Sequence, residues 1–231
     1  MTALQNSSVL VTGANRGMGR HYVTQLLDRG VTKVYAAARD ASRIEITDPR
    51  VVPLTLDVTD PQSVAAAAEA ATDVAVLINN AGLFRAASVL EADAKELREQ
   101  LETNLFGPLA LASTFADRIA DRGGAIVNVA SVLSWLPVGG SYGVTKAAMW
   151  SATDSMRLEL APRGVQVVGV YVGYVDTDMA SFTDSPKTDP ADVVRQVLDG
   201  VEAGADEVLA DDVSRNVRAQ LSLPIAERAL G

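Results

Sequence analysis

Short apolar runs alternate with amphipathic stretches along the whole chain, and this alternation limits the fold more than any other feature. The runs at residues 9–12, 33–38, 51–56, 74–78, 125–129 and 165–171 are mostly apolar, at odd and even positions alike. Runs of that kind are strands buried on both faces. Helical stretches fall between them at 17–28, 61–71, 92–121, 142–160 and 190–203, and a last one at 212–221 follows a short strand at 207–209. Asp60 is placed to cap the second helix, with Pro61 at its first position. Gly107-Pro108 predicts a kink within the long third one. Strands alternating with helices make a parallel sheet covered on both sides, and right-handed crossovers make it doubly wound. No linker or shift of composition divides the 231 residues, 48% of them hydrophobic. The expectation is one α/β Rossmann-type domain over 1–231, with about seven parallel strands.

Composition removes several kinds of chemistry. With no cysteine there is no disulfide, no thiolate metal site and no cysteine nucleophile. The single histidine, His21, falls just inside the first helix as an ordinary surface residue, which leaves no histidine metal cluster and no Ser-His-Asp triad. A net charge of -9 disfavours nucleic acid and anionic membrane surfaces as partners. Residues 1–8 lack a basic segment and an apolar signal core, and no apolar run is long enough to span a bilayer, so a cytoplasmic protein is expected.

Two motifs carry chemistry. In Thr12-Gly13-Ala14-Asn15-Arg16-Gly17-Met18-Gly19 the glycines follow a strand and open a helix. There the backbone can turn sharply, and free N–H groups at the helix N-terminus favour a pyrophosphate. The second motif is Tyr142 with Lys146 one helical turn on, in Ser141-Tyr142-Gly143-Val144-Thr145-Lys146. A free phenol has a pKa of about 10, too high to shuttle protons near neutrality. A lysine at i+4, or an oxidised nicotinamide ring, can lower it. Near the end of the second strand an acid would suit the ribose hydroxyl of NAD and a base the 2′-phosphate of NADP. Arg39 stands there after Ala36-Ala37-Ala38, and Arg16 can reach the same phosphate; Asp40 is an objection unless its carboxylate points away.

The glycine spacing G-x-x-x-G-x-G resembles that of the classical short-chain dehydrogenase/reductase family, and the resemblance covers about residues 7–182. It implies an NADP(H)-binding oxidoreductase of the carbonyl reductase type. The family's NAD-selecting acid sits where Ala38 stands, and Arg39 occupies the position typical of NADP-preferring members. The resemblance makes Asp57-Val58 an adenine contact and Asn79-Asn80-Ala81-Gly82 the cofactor-lining turn, with Gly173, Val175 and Thr177 along the nicotinamide carboxamide. It makes Tyr142 the acid and Lys146 its partner and a ribose ligand. It also assigns Ser131 to the substrate oxygen and Asn104 to a water relay towards Lys146. Ser134 rivals Ser131 but lies further from the strand end. The chain departs from the family in a trimmed loop between Ser131 and Tyr142, and in Val172-Gly173 where Pro-Gly is common, which puts that loop's rigidity in question.

Phe84, Leu133, Trp135, Leu136, Tyr174, Met179 and Phe182 are the expected substrate lining, apolar and without a basic residue. A short polar segment at 179–190 is the expected lid. The reading is reduction of an apolar or aryl ketone or aldehyde by NADPH, reversible in principle, by a homodimer or homotetramer built on the helices near 92–121 and 142–160. A dinucleotide-binding sensor or scaffold without turnover is the main alternative, and redox-neutral chemistry on the same scaffold a third.

Overall fold

A computed structural model describes residues 2–228. Its sheet has seven strands in the order β3-β2-β1-β4-β5-β6-β7, every neighbouring pair parallel. The strands are β1 Ser8–Thr12, β2 Lys33–Ala38, β3 Val51–Thr55, β4 Val76–Asn79, β5 Ala125–Val129, β6 Gln166–Tyr171 and β7 Glu207–Leu209. The helices are α1 Gly17–Asp28, α2 Pro61–Ala70, α3 Ala94–Leu101, α4 Gly107–Ala120, α5 Gly140–Leu160, α6 Pro190–Ala203 and α7 Asp212–Ala219. This is the doubly wound Rossmann arrangement that the alternation implies. No helix among the described residues is long and apolar enough to cross a membrane.

The period of two along each strand divides the core between the two faces. Val9 and Val11 of β1, Val76 and Ile78 of β4, and Ala125 and Val127 of β5 join Tyr22, Leu26 and Val197 from α1 and α6. The residues between them, Leu10, Leu77 and Ile126, join Leu111, Phe115 and Met149 from α4 and α5. Both faces being apolar is what makes these strands read as continuous hydrophobic runs. β3 differs: it lies at the sheet edge, is mostly exposed, and holds Pro53, a residue tolerated only where a ladder N–H is dispensable.

Asp60 caps α2, accepting from the Gln62 N–H at 3.0 Å. The third predicted helix is interrupted, but just before the expected place. A π-helical turn at Glu102–Phe106 separates α3 from α4, and Gly107-Pro108 open α4 rather than bend a continuous helix. Proline tolerates that position because the first N–H groups of a helix have no internal partner. A buried polar rail runs from β4 through β5 into α5. Asn79 Nδ2 donates to Asn128 Oδ1 at 2.9 Å, and Asn128 Nδ2 donates to Thr153 Oγ1 of α5 at 3.1 Å. Asn128→Leu should lower the unfolding free energy in urea by about 3 kcal/mol, because two buried partners then lose their hydrogen bonds.

Candidate active site

β1 has β2 on one side and β4 on the other, so the strand order reverses beside it and a crevice opens past the carboxyl ends of β1 and β4. The glycine turn lies there. Gly13 has φ +64°, and a Cβ on it would meet Ala81 Cα at 3.1 Å and Asn80 Nδ2 at 3.2 Å. On Gly19 a Cβ would stand 2.0 Å from the Gly13 carbonyl oxygen, so only glycine lets the start of α1 pack against the turn. Thr12 locks the two cofactor turns together. Its Oγ1 accepts from the N–H groups of Asn80 and Ala81 at 3.0 and 2.9 Å, while Asn80 Nδ2 donates back to Thr12 O at 2.8 Å.

A cavity of about 820 Å³ runs along this crevice, from Ala38 and Arg39 past the glycine turn to Met179. The expected cofactor residues Asn15, Arg16, Gly17, Met18, Asp57, Val58, Ala81, Gly82 and Thr177 line it. Gly173 and Val175 do not. Val175 is buried in the core, and the Gly173 N–H donates to Asp211 Oδ2 at 2.7 Å. Asp211 also caps α7, so a carboxylate secures the loop whose proline is missing. At the Arg39 end the carboxylate of Asp40 is turned onto Ser42, accepting from its N–H at 3.1 Å and its hydroxyl at 2.6 Å, and these bonds hold it below the usual carboxylate range. Arg43, which the sequence reading passed over, joins Arg16 and Arg39 on the wall. Arg16 pairs with Asp178 at 3.2 Å in an exposed contact of little energetic weight. A tight glycine cradle, a long cavity and arginines at one end fit a phosphorylated dinucleotide.

Ser131, Tyr142 and Lys146, the expected catalytic groups, lie past the carboxyl end of β5 and in the first turns of α5. Tyr142 and Lys146 are both buried, at 8% and 4% exposure. Lys146 Nζ donates to Val129 O at 2.8 Å and lies 5.5 Å from the centre of the Tyr142 ring. Burial acts on the pair in opposite senses. It pushes the phenol above its ordinary value and lowers the lysine to about 8. The expected lowering of the phenol by Lys146 is therefore not what the protein alone produces, because desolvation of the phenolate dominates. Ser131 caps the turn at Val132–Ser134, accepting from Leu133 N–H at 3.1 Å and making only a long 3.4 Å bond to Val172 O. Its rival Ser134 donates to Lys146 O at 2.8 Å and is committed to holding α5.

Asn104, in the π-helical turn, is committed too. Its Oδ1 accepts from Leu83 N–H at 2.8 Å, and its Nδ2 donates to Leu83 O at 2.8 Å and to Thr145 Oγ1 at 3.0 Å. The side chain is thus a clamp between the loop after β4 and α5.

The substrate lining divides. Phe84 meets Tyr142 edge-on at 5.1 Å and stacks on Phe182 at 4.9 Å, and Tyr174 meets Phe182 at 5.9 Å. Met179 lines the cavity. Trp135 is a correction: its ring stacks on Tyr171 at 4.1 Å, meets Trp150 at 5.9 Å and is 5% exposed. The turn at Val132–Ser134 rotates the chain inward, and burial of two indoles and a phenol together outweighs pocket duty. Leu136 lies in this cluster and Leu133 packs against it. The segment 179–190 is tied at several points. Thr188 N–H donates to Tyr174 O at 2.8 Å, Asp176 N–H donates to Thr188 O at 3.0 Å, and Phe182 rests on Phe84.

The profile of the short chain dehydrogenase family matches residues 7–188. The chain belongs to that family. A 3-oxoacyl-acyl-carrier-protein reductase of Vibrio cholerae is 33% identical over 196 residues, 80% of either chain. A short chain dehydrogenase of Burkholderia cenocepacia, solved in complex with NADP, superposes with a TM-score of 0.91 at 38% identity, covering 96% of this chain and 95% of the other. An NADPH-bound carbonyl reductase from chicken fatty liver superposes with a TM-score of 0.76 at 30% identity, covering 85% and 91%. As a member of the short chain dehydrogenases the chain is an oxidoreductase.

The lysine's lowered pKa gives a signed expectation. Its ammonium is present below about pH 8 and is lost as pH rises through that value, whereas the raised phenol stays protonated. Turnover in the reducing direction should fall with a midpoint near pH 8, and Lys146→Arg should shift that fall upward. A flat kcat profile from pH 6 to about 10 for the wild type would refute this assignment.

Proposed function

We propose that the protein reduces an apolar or aryl ketone or aldehyde with NADPH. The observation that carries the cofactor choice is the arginine wall beside Ala38, together with an Asp40 carboxylate already engaged by Ser42. A guanidinium matches a 2′-phosphate bidentately. Gly13, Gly17 and Gly19 would receive the pyrophosphate, Asp57 and Val58 the adenine, and Thr177 the nicotinamide end. When bound, the cofactor supplies a hydride to the carbonyl carbon. Tyr142 donates the phenolic proton to the carbonyl oxygen, and Ser131 donates a hydrogen bond that orients it. The Lys146 ammonium stabilises the phenolate that remains, and the Asn104 turn supports reprotonation. The three rings of Phe84, Phe182 and Tyr174 support an apolar substrate, and the nearby Arg85 guanidinium is paired with Glu99 at 3.1 Å.

NADPH oxidation followed with aryl, aliphatic and charged ketones tests this. Tyr142→Phe should lose at least about a hundredfold in kcat, the scale of general acid catalysis. Arg39→Glu should weaken NADPH relative to NADH by at least about tenfold. Best turnover on small charged keto acids would reject the substrate class, and tight NADPH binding without turnover would favour the sensor.

The segment 179–190 serves as the lid in this reading, because its Phe182 stacks on Phe84, whose ring meets Tyr142 edge-on. A homodimer or homotetramer is supported by apolar side chains exposed where α4 and α5 begin, Phe106 and Val144 at 50% and 44%. Sedimentation equilibrium should give at least two copies, with Val144→Glu shifting the balance towards monomer.

A further inference from the structure

Two buried amides, four residues apart, hold one loop in the same way. Asn104 takes both backbone groups of Leu83 and donates to Thr145 Oγ1. Gln100, with no exposed surface, accepts from the Arg85 N–H at 3.0 Å and donates to Ser141 Oγ at 3.1 Å. Thr145 and Ser141 are themselves four residues apart on α5 and equally buried. The result is a ladder of two rungs between the loop after β4 and the catalytic helix. Further bonds tie the lower rung: Ser141 N–H donates to Ala87 O at 3.0 Å, and a Cβ on Gly140 would lie 2.0 Å from that same carbonyl.

Phe84 sits between the two clamped residues. Its backbone neighbours are fixed on either side, and its ring meets the edge of Tyr142 and stacks on Phe182. Ser141 is next to Tyr142 in the chain, so the lower rung ties the wall residue and the acid to one support.

We propose that Gln100, through Ser141, is a positioning residue that sets the Phe84 ring against Tyr142 and so determines how bulky a carbonyl substrate can be. Gln100 touches neither the cavity nor the reacting groups; it acts through the loop backbone. The selectivity half rests on the reductase reading, and the positional half does not. Asn104 shapes the upper rung beneath the glycine-lined cofactor turn, whereas Gln100 governs the substrate end.

The test uses two variants and two readouts. Gln100→Met keeps the volume and removes both hydrogen bonds, and Ser141→Ala removes only the acceptor of the lower rung. The chain has 4 Phe, so 4-fluorophenylalanine labelling yields few fluorine resonances, and Phe84→Leu assigns the one that matters. Both variants should move the Phe84 resonance. Both should also change the ratio of KM for acetophenone to KM for propanal by about tenfold, the size of one lost buried hydrogen bond. An unmoved Phe84 resonance in both variants overturns the proposal, whatever the activity. So does an equal loss of turnover on both substrates with the KM ratio intact, the mark of general destabilisation. If the wild type turns over no carbonyl, the reductase reading fails, and the fluorine resonance alone decides whether Gln100 positions Phe84.

Discussion

Parallel pairing of β1 with β2 on one side and β4 on the other makes the rest of the site possible. Chain connections leave β1 and β4 in opposite directions across the sheet, so nothing packs directly above their carboxyl ends. The glycine turn, the Asn79–Gly82 turn and the long cavity all occupy that gap. Thr12 joins the two turns with one hydroxyl that bonds three backbone groups, and rigidity there comes from a side chain rather than from glycine.

The electrostatics of Tyr142 and Lys146 follow from where α5 begins. Burial at the end of β5 removes both from water, and water is what stabilises a phenolate and an ammonium. Each group is therefore pushed towards its neutral form, the phenol up and the lysine down to about 8. A phenol kept protonated is a competent donor to a carbonyl oxygen. A lysine so close to neutrality responds to charge brought beside it, such as that of an anionic cofactor. Acid strength at this site is a property of the assembled complex more than of the Tyr-Lys spacing.

Much of this was legible in the residues. The limits of α1, β2, β5, α6 and β7 follow the apolar pattern, because a strand buried on both faces and a helix with one apolar stripe have different periods. The glycine turn, Asp60, Tyr142 and Lys146 lie on the elements their chemistry requires. Trp135 did not read correctly: an aromatic residue in a loop near the site has the same sequence signature whether it faces substrate or core. The bend of the third predicted helix lies at the π-helical turn that holds Asn104, the residue resembling the family's helix-bending asparagine, and not at Gly107-Pro108, where proline only opens α4. Gln100 and Ser141 carried no signal at all, being ordinary polar residues whose burial depends on contacts across more than forty positions of chain.

By itself the sequence determined the order of strands and helices and the glycine turn that opens the first helix, and it supplied the motifs on which the proposal of Tyr142 as acid and Lys146 as its partner rests. Those depend on local periodicity, backbone freedom and side-chain chemistry over a few residues. Only the tertiary structure decided that desolvation raises the phenol, that the Asp40 carboxylate is engaged by Ser42, that Trp135 belongs to the core and that two amides clamp the backbone on either side of Phe84. Each of these is set by which distant groups exclude water or supply a hydrogen-bond partner, and no local pattern encodes that.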